Sequence, residues 1–172
     1  MTTNRKDWPS GIWDDEPDHL EWIDEETGYR CVVHRNPFLG GLCGYVGLFP
    51  DHPLHYVEYN SKRHVLSGVD MKEATVGKRG VIDLACWASD PNGPIFLTMY
   101  FDVHGSLTYS GPQAPGSSSC PTWWFGFDCS HSGDRVPGEH LYGWGGSVYR
   151  DIEYVKGECR SLAKQLKGVT GD

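Results

Sequence analysis

Apolar and polar residues alternate with a period of two through much of this chain, and only the C-terminal stretch changes to a helical spacing. Alternation puts successive side chains on opposite faces of a strand. Residues 20–23 and 29–34 flank Asp24-Glu-Glu-Thr-Gly28, which predicts a hairpin with Gly28 in the turn. Residues 42–48 predict a further strand despite Gly44 and Gly47; a turn at Pro50-Asp-His-Pro53 and a short return strand over 57–59 follow. Residues 60–80 are charged and show no clear period, while 81–87 predict a strand before the turn Asp90-Pro-Asn-Gly-Pro94. The strongest strand pattern is 95–104, with 106–110 continuing the sheet beyond Gly105. There Ile95, Leu97, Met99, Phe101 and Val103 would share one face, and Tyr100, Asp102 and His104 the other. Trp123, Phe125 and Phe127 likewise oppose Trp124, Gly126 and Asp128.

After Asp151 the period lengthens. Ile152, Val155, Cys159, Leu162 and Leu166 recur at steps of three and four and form one apolar stripe. Asp151 and Glu153 near the start and Lys164 and Lys167 near the end suit the helix dipole. Gly157 costs roughly 1 kcal/mol relative to alanine inside a helix, which predicts a packing reason for it. The stripe is either core or a dimer seam, so a homo-oligomer stays open. Residues 1–18 read as a polar, irregular or weakly ordered arm with Trp8 and Trp13 as anchors, and 111–121 and 130–146 as Gly/Pro-rich loops. The expected architecture is one α+β domain over 19–168, a mainly antiparallel sheet with a C-terminal helix packed on it.

Composition narrows the function classes. A formal net charge of −8 argues against a broad duplex-binding surface, which needs clustered Lys and Arg, but leaves room for a local pocket for a small anion. The six cysteines form no C-x-x-C pair, and several sit within apolar runs, where a free thiol packs as a small hydrophobe. The first residues carry no apolar leader, and no stretch has the length of a membrane span. The expectation is a soluble, reduced, cytoplasmic protein without a membrane partner.

The chemistry concentrates where two alternating stretches run straight into carboxylates and imidazoles. If 95–104 and 123–128 lie in one sheet, Asp102, His104 and Asp128 converge, with His131 and Asp134 just past the strand end. Oxygen and nitrogen donors of this kind take a divalent metal, or an Asp can orient a His that removes a proton. His104, Asp102, Asp128 and His131 are the candidate catalytic residues of such a hydrolase. The other reading is capture of a small polar or phosphorylated ligand, such as a nucleotide. Tyr100, Tyr109 and Trp124 would stack a planar base, Arg135, Arg150 and His52 would contact phosphate, and Asp134 would complete the ligand set. Gly105, Gly126 and Gly133 would let backbone approach that ligand. The blander account has Asp128 capping a turn, Asp134 opening a loop and His131 as an ordinary polar group. Alternation assigns Cys129 to the core face with Phe125 and Phe127 rather than to a nucleophile's position.

Three stretches resemble an uncharacterised family of phage and prophage proteins. They are Cys43-Gly-Tyr-Val-Gly47 with His52-Pro53; Asp102-Val-His-Gly105 with Leu107-Thr-Tyr109; and Trp123-Trp-Phe-Gly-Phe-Asp-Cys-Ser-His-Ser-Gly-Asp134 with Tyr149-Arg-Asp151 and Tyr154-Val155. They spread over roughly residues 29–166. The family pattern has Gly where this chain has Ser106. The resemblance carries no assigned reaction; it implies a phage-type protein acting in the host cytoplasm, with sequestration of a defence messenger or blocking of a host protein as purposes.

Overall fold

In the computed structural model, which describes residues 5–63, 95–118, 123–139 and 148–169, the predicted hairpin and its neighbours become a sheet. The strands are β1 (His19–Ile23), β2 (Arg30–Arg35), β3 (Leu42–Leu48), β4 (Lys62–Arg63), β5 (Ile95–Phe96), β6 (Tyr109–Gly111), β7 (Trp123–Asp128), β8 (Asp134–Arg135) and β9 (Val148–Tyr149), and the helix is α1 (Ile152–Lys167). Five of them form one antiparallel sheet in the order β1-β2-β3-β7-β6. β4 and β5 pair antiparallel, whereas β8 and β9 make a short parallel ladder. The hairpin turn is set by Asp24, whose carboxylate accepts from the Thr27 N–H and hydroxyl, and by Gly28 at φ +78°.

The α1 stripe packs on the sheet: Val155, Cys159, Leu162 and Leu166 are fully buried, in one cluster with Cys31, Val33, Val46, Phe125 and Phe127. It is core, not a dimer seam. Gly44 lets the helix come this close, since a Cβ there would lie 2.4 Å from Phe127 Cζ and 2.7 Å from Cys159 Sγ. Asp151 caps the helix, accepting from the Tyr154 N–H at 2.8 Å. None of the described helices is long and apolar enough to cross a membrane.

Gly157 has no such packing reason. It is exposed, and a Cβ there would meet nothing within 4 Å. Gly157→Ala is therefore expected to stabilise the protein by about 1 kcal/mol, read as a raised midpoint in urea with an unchanged slope.

Two expected strands do not form. Residues 57–59 are irregular, with Val57 buried and its carbonyl accepting from Trp123 Nε1 at 2.8 Å. Of 95–104 only Ile95–Phe96 is strand; Leu97–Met99 is a 3-10 turn and the rest is irregular. Leu97, Met99, Tyr100, Phe101 and Val103 are all buried, so both parities of the supposed strand face core. The backbone finds its partners on the helix instead of on a neighbouring strand. Asp102 N–H donates to Gln165 Oε1 and Gln165 Nε2 donates back to the Asp102 carbonyl, each at 2.8 Å; His104 N–H donates to Glu158 Oε2 at 2.8 Å. The expected strand at 81–87, the turn at 90–94, Cys86 and Cys120 lie outside the described residues.

The N-terminal segment is tied down. Trp13 is buried, and Trp8 lies against Gly40. Arg35, with a fully buried side chain, donates to Asp18 Oδ1 (2.9 Å), Glu16 Oε2 (2.8 Å), the Gly40 carbonyl (2.9 Å) and the Tyr149 hydroxyl (2.9 Å). Glu16 also accepts from the Ile152 N–H at 2.9 Å and from the Tyr149 hydroxyl. One guanidinium thus links the arm, the β2–β3 turn and the start of α1.

Candidate functional site

The site forms where the chain reverses after the buried run at 97–103, beside the turn that follows β7 and the first turns of α1. Gly105 (φ +64°) and Ser106 (φ +83°) are consecutive left-handed residues. A serine in that region is strained by roughly 1–2 kcal/mol, and its hydroxyl donates to the Thr98 carbonyl at 3.2 Å. The turn after β7 is held by carboxylates: Asp128 Oδ1 accepts from the Ser130 N–H at 3.1 Å, and Asp134 Oδ2 from the His131 N–H at 3.0 Å. The reversal and the turn bring His104, His131 and Asp134 together, with one donor atom of each within 4.8 Å of the others.

Asp134 is the centre, its side chain only 2% exposed. Oδ2 meets His104 Nε2 at 2.7 Å and Oδ1 accepts from Arg150 Nε at 3.0 Å. A carboxylate only accepts, so His104 Nε2 carries the proton of this contact, and Nδ1 meets the Tyr154 hydroxyl at 3.0 Å. Arg150 lies over the Tyr154 ring, 4.8 Å from its centroid. Burial alone would raise the Asp134 carboxyl, but hydrogen bonds from His104, Arg150 and the His131 N–H outweigh it and hold its pKa below the ordinary value. His131 is the most open member at 34% exposure, yet its Nδ1 is buried and lacks a hydrogen-bond partner among the described residues; Asp134 Oδ2 is 3.8 Å away and Asp128 Oδ1 4.0 Å.

Gly105 makes this possible by close approach. A Cβ there would sit 2.1 Å from His131 Cε1. Gly105→Ala is expected to cost about 1–3 kcal/mol and to push the His131 ring out of the cluster, visible as a shifted His131 imidazole resonance.

The other candidates lie elsewhere. Asp102 joins Gln165, two turns along α1 from Glu158, and its Oδ1 is buried without a partner among the described residues. The i, i+2 convergence with His104 required a strand that does not exist. Asp128 borders the cluster through His131 and binds the Thr108 hydroxyl at 3.0 Å. Trp124 does share a face with Asp128, but it is fully buried with Val32, Tyr45 and Ala114, on the sheet side opposite α1. Tyr109 packs edge-on against Tyr45 there, while Tyr100 belongs to the core beneath the helix. His52 bridges the Leu166 carbonyl (2.9 Å) and the Leu54 N–H (3.0 Å), and burial lowers its pKa. Arg135 sits over Trp13, 5.6 Å from the ring, because alternation in β8 turns it away from Asp134. Among the described residues, Tyr100, Tyr109 and Trp124 are not brought together with His52, Arg135 and Arg150 into one site. Two of the glycines proposed for backbone approach serve other ends: Gly105 admits the His131 ring and Gly126 the Tyr45 ring, where a Cβ would lie 2.4 Å from Tyr45 Cδ1; a Cβ at Gly133 would meet nothing within 4 Å.

Glu158 was not singled out in the sequence and Tyr154 only within the resembling stretches, with no site role, although both hold His104. Their i, i+4 spacing beside the apolar stripe, four residues after Arg150, was the available signal. Cys129 is core, as alternation required, and burial pushes its thiol pKa far up, away from thiolate chemistry. No family model, curated protein or solved structure matches the chain.

Proposed function

We propose that the protein is a divalent-metal-dependent hydrolase centred on His104, His131 and Asp134. The observation that carries this is the convergence of two imidazoles and a carboxylate around a buried His131 Nδ1 that has no hydrogen-bond partner. Three protein donors with a position left for water or substrate is the composition of catalytic zinc sites, in which Zn–N distances are about 2.0–2.1 Å. The separations of 2.7 Å and 3.8 Å to Asp134 Oδ2 bracket the donor spacing such bonds imply, and one donor atom of each of the three residues lies within 4.8 Å of the others. A bound cation would supply Lewis acidity toward a carbonyl or phosphoryl oxygen.

The chain's own groups fit that chemistry. Arg150 uses Nε on Asp134, and its terminal nitrogens, without partners among the described residues, can receive charge developing on a substrate oxygen. Glu158 fixes the backbone of His104 and Tyr154 its ring; with a cation held at Nε2 the ring proton would lie on Nδ1 and point to the Tyr154 hydroxyl, the arrangement of ligating histidines with an outer partner. The test is elemental analysis of the purified protein, with hydrolysis of bis-p-nitrophenyl phosphate and p-nitrophenyl acetate before and after chelation. Near-stoichiometric zinc and activity lost to chelator and restored by zinc are expected. Protein that neither retains nor takes up zinc, manganese or iron sinks the proposal. The 2.7 Å His104–Asp134 contact favours one second reading, a metal-free acid–base hydrolase, which predicts activity insensitive to chelator and lost in His104→Ala.

A further inference from the structure

The sheet face turned away from α1 bears a cavity of about 450 Å³, lined by His19, His34, Asn36, Cys43, Tyr45 and Pro115. Small-molecule pockets run from about 300 to 1,000 Å³. Its floor follows from register: His19 lies opposite His34, and His34 opposite Cys43, so all three side chains project from one face. Its wall is the 111–118 segment. Ser118 donates to Glu21 Oε2 from both its N–H (3.2 Å) and its hydroxyl (2.9 Å), which fastens the segment across β1. Ala114 is fully buried with Trp124, and Gly116 (φ +77°) runs so close that a Cβ would lie 2.8 Å from His19 Nδ1.

Two polar groups there lack partners among the described residues. His34 Nδ1 is buried with no hydrogen bond. Asn36 spends its carbonyl on the Phe38 and Leu39 N–H groups, at 2.9 and 3.1 Å, which leaves its amide N–H donors unused. A buried ring nitrogen without a partner carries an uncompensated desolvation cost, which a ligand hydrogen bond relieves. The lining holds no Lys, Arg, Asp or Glu. Burial, with His19 beside it, lowers the His34 pKa, so the ring is uncharged at neutral pH. Cys43, pushed up to about 12 by burial and by Asp128, is a neutral wall as well. An anion would find no counter-charge here. Flat walls are supplied by the two imidazoles, 5.9 Å apart between centroids, and by Tyr45.

We infer that this pocket binds an uncharged planar nitrogen heterocycle of nucleobase size, held edge-on by His34 and Asn36. It shares no lining residue with the His104 cluster. The same cross-strand row ends at Asp128, 4.0 Å from His131, so an occupant sits next to that cluster without depending on it.

The experiment titrates cytosine, uracil, adenine and toluene into the full chain, read by calorimetry and by histidine ring resonances. At least one base is expected to bind saturably at one site and to shift the His34 signal. His34→Leu should weaken it about tenfold or more, the equivalent of about 1.4 kcal/mol. His19→Gln, at the exposed rim, should weaken it in a protein whose fold is undisturbed, while His131→Ala leaves binding unchanged. No saturable binding by any base, toluene binding as tightly as the bases, or binding insensitive to both pocket variants would overturn the inference. Loss of binding in His131→Ala would place the base at the cluster and overturn it as well.

Discussion

Arg35→Ala is expected to cost about 3–5 kcal/mol, the range for removing one partner of a buried ion pair. The side chain is fully buried and makes four hydrogen bonds to three segments of chain. Its removal leaves Glu16 facing only the Tyr149 hydroxyl and the Ile152 N–H, and leaves Asp18 to Arg5. The cost exceeds that of an exposed pair, for which about 0–1 kcal/mol is usual. Chemical denaturation measures it. Arg35→Lys should recover only part, because a single ammonium cannot reproduce the planar fork that reaches Glu16, Asp18 and Gly40 together. A loss below 1 kcal/mol would show that the arm is not held by this residue. Stripping of residues 5–18 by protease should accelerate in step with the destabilisation.

The proposed metal centre predicts that zinc binding is lost in His131→Ala while the fold survives. His131 is one-third exposed and its Nδ1 has no hydrogen-bond partner among the described residues, so its loss removes a donor without stranding a neighbour. Mutation of outer partners of metal ligands already costs about 10–100-fold in affinity; loss of a ligand should exceed about 100-fold, measured by competition with a chromogenic zinc chelator. Unchanged zinc affinity would remove His131 from the centre. Asp134→Asn tests the same centre with a second readout. The Asp134 carboxyl has a folded pKa below its unfolded value of about 3.9, so it contributes stability that is present above that pH and is lost as pH falls through the folded value. The variant should be less stable at neutral pH and show a shallower loss of stability between about pH 4 and the acid limit. Zinc affinity should fall with pH in the unmodified protein, because the imidazoles must be deprotonated to bind.

Local periodicity alone determined much of this protein. The β1–β2 hairpin, β3, the two faces of β7, the capped and striped α1 and the core placement of Cys129 follow from the spacing of apolar residues, the turn chemistry around Gly28 and the cap at Asp151. Each depends on neighbours a few positions away, which a linear pattern records. The site was legible only in part. His104, His131 and Asp134 stood out as polar groups at the ends of apolar runs, but the geometry that joins them does not descend from strand alternation.

Tertiary structure decided the rest. A run such as 97–103, apolar at both parities once Tyr100 is counted, offers sheet and helix equally good burial, and here the side chains of Glu158 and Gln165 took its backbone hydrogen bonds. That turned Asp102 away and delivered His104 to a carboxylate 30 positions later. Arg35 gave no linear sign of its role, because its side-chain partners lie 17 and 19 residues before it and 114 after it. Gly105 was legible as a glycine but not as the seat of the His131 ring. Spacing along the chain records which face a side chain takes within its own element. Which element lies opposite, and which donor meets which acceptor there, is fixed only when the packed surfaces meet.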